Sequence, residues 1–301
     1  MDPITRIERA LDNAVAAGES PQGPPRLAAA MRHAVFPGGA RIRPQLCLAV
    51  AQACGDDAPV FSDAAAVAIE LLHCASLVHD DLPCFDNAST RRGQLSVHRA
   101  YGERLAVLAG DALIVRAFQA LALAAHAAPT RLVPLLTTIA EATGTPFGIV
   151  AGQSWECEPW VDLGDYQRAK TGALFVAATS AGAQAAGADP ARWRGLGEWL
   201  GEAYQVADDI RDVVADPQWL GKPVGQDRAL DRPSSARTLG LAGAIAHFDQ
   251  LVASAVQAIP ECRGAARLRA MVALESERLV PKAWSVGLDT APAQAVTRLA
   301  A

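Results

Sequence analysis

A chain of 301 residues with 51% hydrophobic side chains can build a sizeable core, and few aromatics (5%) beside abundant alanine and leucine favour helix over strand. The net charge of −5 argues against nucleic acid, whose phosphates demand a basic face, and no basic amphipathic stretch points to a membrane surface. Cys47, Cys54, Cys74, Cys84, Cys157 and Cys262 form no CxxC pair, a pattern that reads as the reduced thiols of a cytoplasmic protein.

Residues 1–21 carry charges throughout and have no apolar h-region, so no signal peptide is expected. The turn Phe36–Pro44 follows, with Gly38 and Gly39 at its centre. Pro44 is placed to start the next helix, so Arg41 and Arg43 are expected near a helix N-terminus, where the dipole and free N–H groups favour an anion. Apolar residues recur at helical spacing over 64–78, 105–124, 132–142, 200–214 and 265–279. Breaks fall at 18–25, 37–39, 54–59, 83, 127–130, 187–190, 217–225 and 260–264, where Pro and Gly gather. The uncharged stretch 171–188 is diluted by Gly, Ser, Thr and Gln, and reads as a buried helix rather than a membrane span. No run of Val, Ile and Thr bounded by hairpin turns appears. The expectation is an all-α protein, ten or so helices packed as one bundle-like domain over 1–301.

Two acidic clusters carry the chemistry. The helix over 64–78 runs into Asp80 and Asp81, and Pro83 then stops it, so the chain is expected to turn back and bring Asp86 towards them. Asp208, Asp209 and Asp212 interrupt the apolar helix 200–214. Asp208 and Asp212 lie one turn apart, where like charges repel. A solvated acidic stripe partnered by Arg211 is the plain alternative for the second cluster alone. Carboxylates without His or Cys suit a hard cation such as Mg²⁺, which uses few carboxylates and substrate phosphates besides. Arg91 and Arg92, fork-shaped donors matched to phosphate, follow the first cluster at once. Lys170 lies in an apolar helix, and Lys222 in a Gly/Pro loop after the second cluster. Metal-bridged phosphate accounts for both signs of charge. The histidines have no metal-ligand spacing, and neither a Walker loop nor a Gly-x-Ser-x-Gly elbow is present.

These motifs together closely resemble the trans-isoprenyl diphosphate synthases, nearest to the bacterial geranylgeranyl diphosphate synthases that feed carotenoid and bacteriochlorophyll synthesis. The likeness is carried by 36–44, 73–93, 107–113, 152–153, 169–174, 204–212 and 221–227. It implies an isoprenoid-synthase fold around a central cavity, one polyprenyl synthetase domain, usually a homodimer. It implies three Mg²⁺ ions with bound diphosphate, held by Asp80, Asp81, Asp86 and Asp208, with Asp209 and Asp212 in support. The allylic diphosphate would meet Arg91, Lys170 and Lys222. Isopentenyl diphosphate would meet Arg41, His73 and Arg92. Thr171 and Gln205 would turn their dipoles to the allylic cation, and Arg232 would add a charge where a lysine is usual. Ala40 replaces a common lysine, and Glu156 stands near where an aspartate often sits.

The growing chain is expected to run beside the helix that ends at Asp80, each helical turn rising about 5.4 Å, roughly one isoprene unit. In the family a bulky aromatic five residues before the first aspartate stops growth at fifteen carbons. Here that position is Ala75, followed by Ser76, which points to the C20 product. A farnesyl diphosphate synthase, a longer-chain synthase, a terpene cyclase and a non-catalytic subunit are the alternatives. A cyclase would need only one diphosphate site, and a non-catalytic subunit would be expected to lack some of these aspartates or arginines.

Overall fold

The computed structural model describes residues 2–36, 38–214, 235–281 and 284. The first helix starts as its sequence dictates: the Asp2 carboxylate accepts from the backbone N–H groups of Ile4 and Thr5, and Pro3 opens α1 (Pro3–Ala16). Then come α2 (Pro25–Val35), α3 (Ile42–Cys54) and α4 (Pro59–Asp80), and after a short hairpin α5 (Val97–Tyr101) and α6 (Glu103–Ala124). The chain continues through α7 (Leu132–Thr143), α8 (Ile149–Ser154) and α9 (Leu163–Gln167). A π-helical turn over Arg168–Gly172 leads into α10 (Ala173–Ala185), followed by α11 (Arg194–Val214), α12 (Ser235–Gln257) and α13 (Ala265–Leu279).

α4 is the axis of the bundle. It is apolar on all sides because α1, α2, α3, α6 and α10 all pack against it. Ile69, Leu71 and Leu72 are wholly buried there, each contributing about 1.5–3 kcal/mol of burial. α10 fills the space between α3 and α11, and its small residues (Ala177, Ala178, Ala181, Gly182) let those helices approach closely. A second core of Ala203, Val206, Ile210, Ile245 and Phe248 joins α11 to α12.

Three helices, α4, α6 with the turn after it, and α12, are long and apolar enough to cross a membrane by length and composition. For α4 the cause of that character is visible: its most apolar window is 72% buried inside the bundle. The expected helices appear with longer ends, Pro59–Asp80 for 64–78 and Arg194–Val214 for 200–214, while Ala265–Leu279 is unchanged. α3 begins at Ile42, so Pro44 lies within the first turn, where a missing N–H breaks no helical bond.

The sequence suggested no strand, yet Thr90–Arg91 and Gln94–Leu95 pair antiparallel. The turn between them needs two residues at positive φ, and Arg92 (53°) and Gly93 (77°) supply them. An arginine in that role leaves no Asn-Gly signature to read.

Candidate active site

α4 delivers Asp80 at its last position and Asp81 at its C-cap. Leu82 and Pro83 then fold the chain back, and the Asp86 N–H donates to the Asp80 carbonyl at 3.0 Å. The two neighbouring aspartates separate at this point. Asp81 turns inward, 2% exposed, and takes a bidentate contact from Arg91, whose Nε lies 2.9 Å from Oδ1. Asp80 faces the opposite way, towards Lys170 Nζ at 3.3 Å, with Arg91 Nη2 at 4.0 Å. Burial pushes the Asp80 carboxyl up; Lys170 opposes that shift and Asp86 adds to it. Burial likewise raises Asp81, against the pull of Arg91.

Lys170 sits in the π-helical turn, a rare geometry that is frequent at functional sites. α8 can lie against that turn only because residue 152 is glycine: a Cβ there would come within 2.4 Å of the Lys170 backbone nitrogen. The approach brings in a residue that the sequence analysis did not place in the site. Glu156, just beyond α8, takes Lys170 Nζ at 2.5 Å, the Tyr166 hydroxyl at 2.6 Å and the Gln153 amide at 2.9 Å. Burial works against the Lys170 charge, but Asp80 and Glu156 overcome it and raise its pKa. Asp80, Asp86 and Glu156 bring carboxylate oxygens within 4.8 Å of one another. That oxygen-only donor set beside two cations fits a hard divalent ion shared with a phosphate. Glu156→Gln is expected to lower kcat/KM about 10–100-fold, as loss of a group that orients a metal site and its lysine does. Steady-state kinetics across a Mg²⁺ titration checks this; unchanged kinetics would remove Glu156 from the site.

The second acidic cluster is not part of that trio among the described residues. Asp209 turns away from solvent, 2% exposed, and accepts from the Ser235 N–H at 2.7 Å, tying α11 to the start of α12. Its other oxygen takes Gln205 Nε2 at 3.0 Å, and Gln205 Oε1 in turn accepts from the Thr171 hydroxyl at 3.0 Å. This chain fixes both amide and hydroxyl next to Lys170. Burial raises the Asp209 carboxyl, while the Ser235 and Gln205 bonds pull it down. Asp208 and Asp212 are half-buried on α11.

The cationic side differs from the expectation in one respect. Arg41 is the N-cap of α3, in the left-handed region (φ 51°), and its guanidinium is buried in a structural network. Its Nε lies 2.8 Å from Glu8, Nη1 2.6 Å from Glu70, and Nη2 2.8 Å from the Val35 carbonyl. Arg43, two residues on, is 9% exposed, and its Nε is buried without a partner. Its guanidinium carbon lies 4.5 Å from the centre of the Phe175 ring and 5.5 Å from that of Tyr204, and Nη1 is 3.5 Å from His73 Nε2. Burial, then Arg43 and Arg92, hold His73 well below the usual imidazole range, so it is neutral at pH 7. Arg92, at the hairpin turn, has Nη2 3.7 Å from Glu70 and Nη1 3.9 Å from Cys74 Sγ. Arg43, His73 and Arg92 thus form a cluster with open donors, the arrangement an anion requires.

Ala75 is 1% exposed, one turn below His79, whose ring meets α6 where Gly110 leaves room for it. Ser76 donates to the His73 carbonyl at 2.8 Å. Lys222 and Arg232 lie outside the described residues.

Comparison with known proteins identifies the family. The polyprenyl synthetase family description matches residues 24–275. The geranylgeranyl diphosphate synthase of Cereibacter sphaeroides is 54% identical over 92% of this chain and 96% of its own length. That of Rhodobacter capsulatus is 50% identical over 91% and 95%. Among solved structures, a Helicobacter pylori geranyltransferase complexed with magnesium and isoprenyl diphosphate superposes with a TM-score of 0.77 at 28% identity, covering 91% of this chain and 96% of that one.

Proposed function

Because the chain belongs to the polyprenyl synthetase family, we propose that it is a prenyl transferase that condenses isopentenyl diphosphate with allylic diphosphates to make geranylgeranyl diphosphate. One observation supports this reading: two separate clusters of cationic side chains lie along one face of α4. Carboxylates and cations meet at Asp80, and open cations gather at His73, seven residues and about 10 Å lower. Two diphosphates held at that spacing put a five-carbon unit between them.

Asp80, Asp86 and Glu156 would hold Mg²⁺ on one side of the site, with Asp208 and Asp212 of α11 as further ligands. Bound Mg²⁺ would supply the charge neutralisation that lets an allylic diphosphate leave. Lys170, Arg91 and Lys222 would grip the departing group, a stabilisation that grows as its charge develops. Thr171 and Gln205, fixed by Asp209, would present oxygen dipoles to the positive carbon. Arg43, His73 and Arg92 would orient isopentenyl diphosphate so that its double bond attacks, and the released diphosphate would take the proton.

Small Ala75 favours C20 over the farnesyl alternative, as do the names of the two bacterial relatives. We place the enzyme in the cytoplasm as a homodimer. Leu108, Val115 and Leu123 run along a solvent-facing side of α6 and suit a second copy of the chain. The test is purified protein with Mg²⁺, isopentenyl diphosphate and each of the C5, C10 and C15 primers. C20 alcohol after dephosphorylation is expected from all three, and no product from any primer would sink the reading.

A further inference from the structure

Glu70 carries a charge that the chemistry above does not use. It lies on α4 three residues before His73 and is 2% exposed, in a core where a carboxylate is rare unless paired. Its Oε1 takes Arg41 Nη1 at 2.6 Å and lies 3.7 Å from Arg92 Nη2. Cys74 closes the figure, with Sγ 3.9 Å from Glu70 Oε1 and 3.9 Å from Arg92 Nη1.

The two arginines come from different parts of the chain, one at the start of α3 and one at the hairpin turn. Both have left-handed backbone (φ 51° and 53°), which non-glycine residues keep only where their surroundings impose it. Gly39 lies close to Arg92, since a Cβ there would come within 3.0 Å of Arg92 Nε. With alanine at position 40, Arg43 is the one cation of that turn in the cluster, so the placement of Arg92 matters more.

We infer that Glu70 is a positioning residue: its buried carboxylate fixes Arg92 beside Arg43 and His73, and so sets the affinity for isopentenyl diphosphate. This rests on the reading of that cluster as the isopentenyl diphosphate site. The sign of the effect is diagnostic. Through space, a carboxylate repels a diphosphate, so its neutralisation alone would tighten binding. Through Arg92, neutralisation weakens binding.

Calorimetric titration of the full chain with Mg²⁺ reads this without turnover. Glu70→Gln is expected to weaken isopentenyl diphosphate at least tenfold while an allylic diphosphate stays within twofold. Glu8→Gln shares Arg41 but not Arg92, and should leave both ligands within twofold. Added to Arg92→Gln, the Glu70 change should weaken binding by no more than a further twofold. Unchanged or tighter isopentenyl diphosphate binding in folded Glu70→Gln would overturn the inference, and so would an equal loss in Glu8→Gln or a parallel loss of both ligands. Should Glu70→Gln fail to fold, Glu70→Asp keeps the charge but withdraws it from Arg92, and the same selective loss is expected. Wild-type protein that binds allylic but no isopentenyl diphosphate would overturn the reading of the cluster, and this role with it.

Discussion

Asp80→Asn is expected to lower kcat/KM about 10³-fold while leaving the fold as stable as before or more so. The loss in rate follows from position. Asp80 is the carboxylate that meets Lys170 (3.3 Å) and Arg91 (4.0 Å) and shares a cluster with Asp86 and Glu156. The gain in stability follows from charge. Burial raises the Asp80 carboxyl, and Asp86 and Glu156 add repulsion that Lys170 only partly offsets. A carboxyl whose folded pKa lies above its unfolded one stabilises the fold below the unfolded value, and that contribution is lost as pH rises through the folded value. Asparagine has no such loss. With a chelator present, the thermal midpoint of Asp80→Asn relative to wild type should therefore rise between pH 4 and pH 7. Lys170 keeps Glu156 as a partner, so the variant does not strand a buried cation. Kinetics and thermal melts of the same preparation check both halves. Wild-type kinetics would remove Asp80 from catalysis, and a falling midpoint would show that Lys170 needs it structurally. Asp81→Asn should gain less or lose stability by comparison, because Arg91 then loses its bidentate partner.

That contrast between adjacent aspartates marks the limit of what could be read from the sequence. The helix over 64–78 was plain from its apolar run, and Pro83 foretold the turn that carries Asp86 back. Which aspartate faces a ligand was not legible, since it depends on where the hairpin sets Arg91. The same holds at the start of α3. Arg41 and Arg43 are both buried, and which of them keeps a free donor could not be read from the pair. The left-handed backbone of Arg41 and the distant carboxylates of Glu8 and Glu70 decide which. Asp209 reads as a metal ligand by motif, yet it accepts the Ser235 N–H at the start of α12, a partner 26 residues away. Glu156 gave only a faint signal, an acid near where the family often has an aspartate. Its place in the site depends on a glycine that lets α8 touch a π-helical turn. Helices follow from local periodicity, whereas the site is made of contacts between segments far apart in the chain.

Ala75→Tyr is expected to change the main product from C20 to C15 diphosphate. Position 75 lies on α4, one turn below His79, and is 1% exposed. A prenyl chain growing away from Asp80 moves about one helical turn of α4 for each isoprene unit added. A tyrosine ring at Ala75 would block the space that the fourth unit needs while leaving the first three free. Ionisation at Asp80 lies above this level, and His73, two residues from Ala75, points to nearly the opposite side of α4, so turnover to C15 should stay within about tenfold of wild type. Overpacking a filled site costs about 1–3 kcal/mol, so a lower thermal midpoint should accompany the change. The measurement is the chain-length distribution of dephosphorylated products from a C5 primer, taken with a melting curve to show that the variant is folded. A folded variant that still makes C20 would place the floor of the cavity away from α4. A folded variant that makes nothing would mean that the ring reaches the diphosphate site itself.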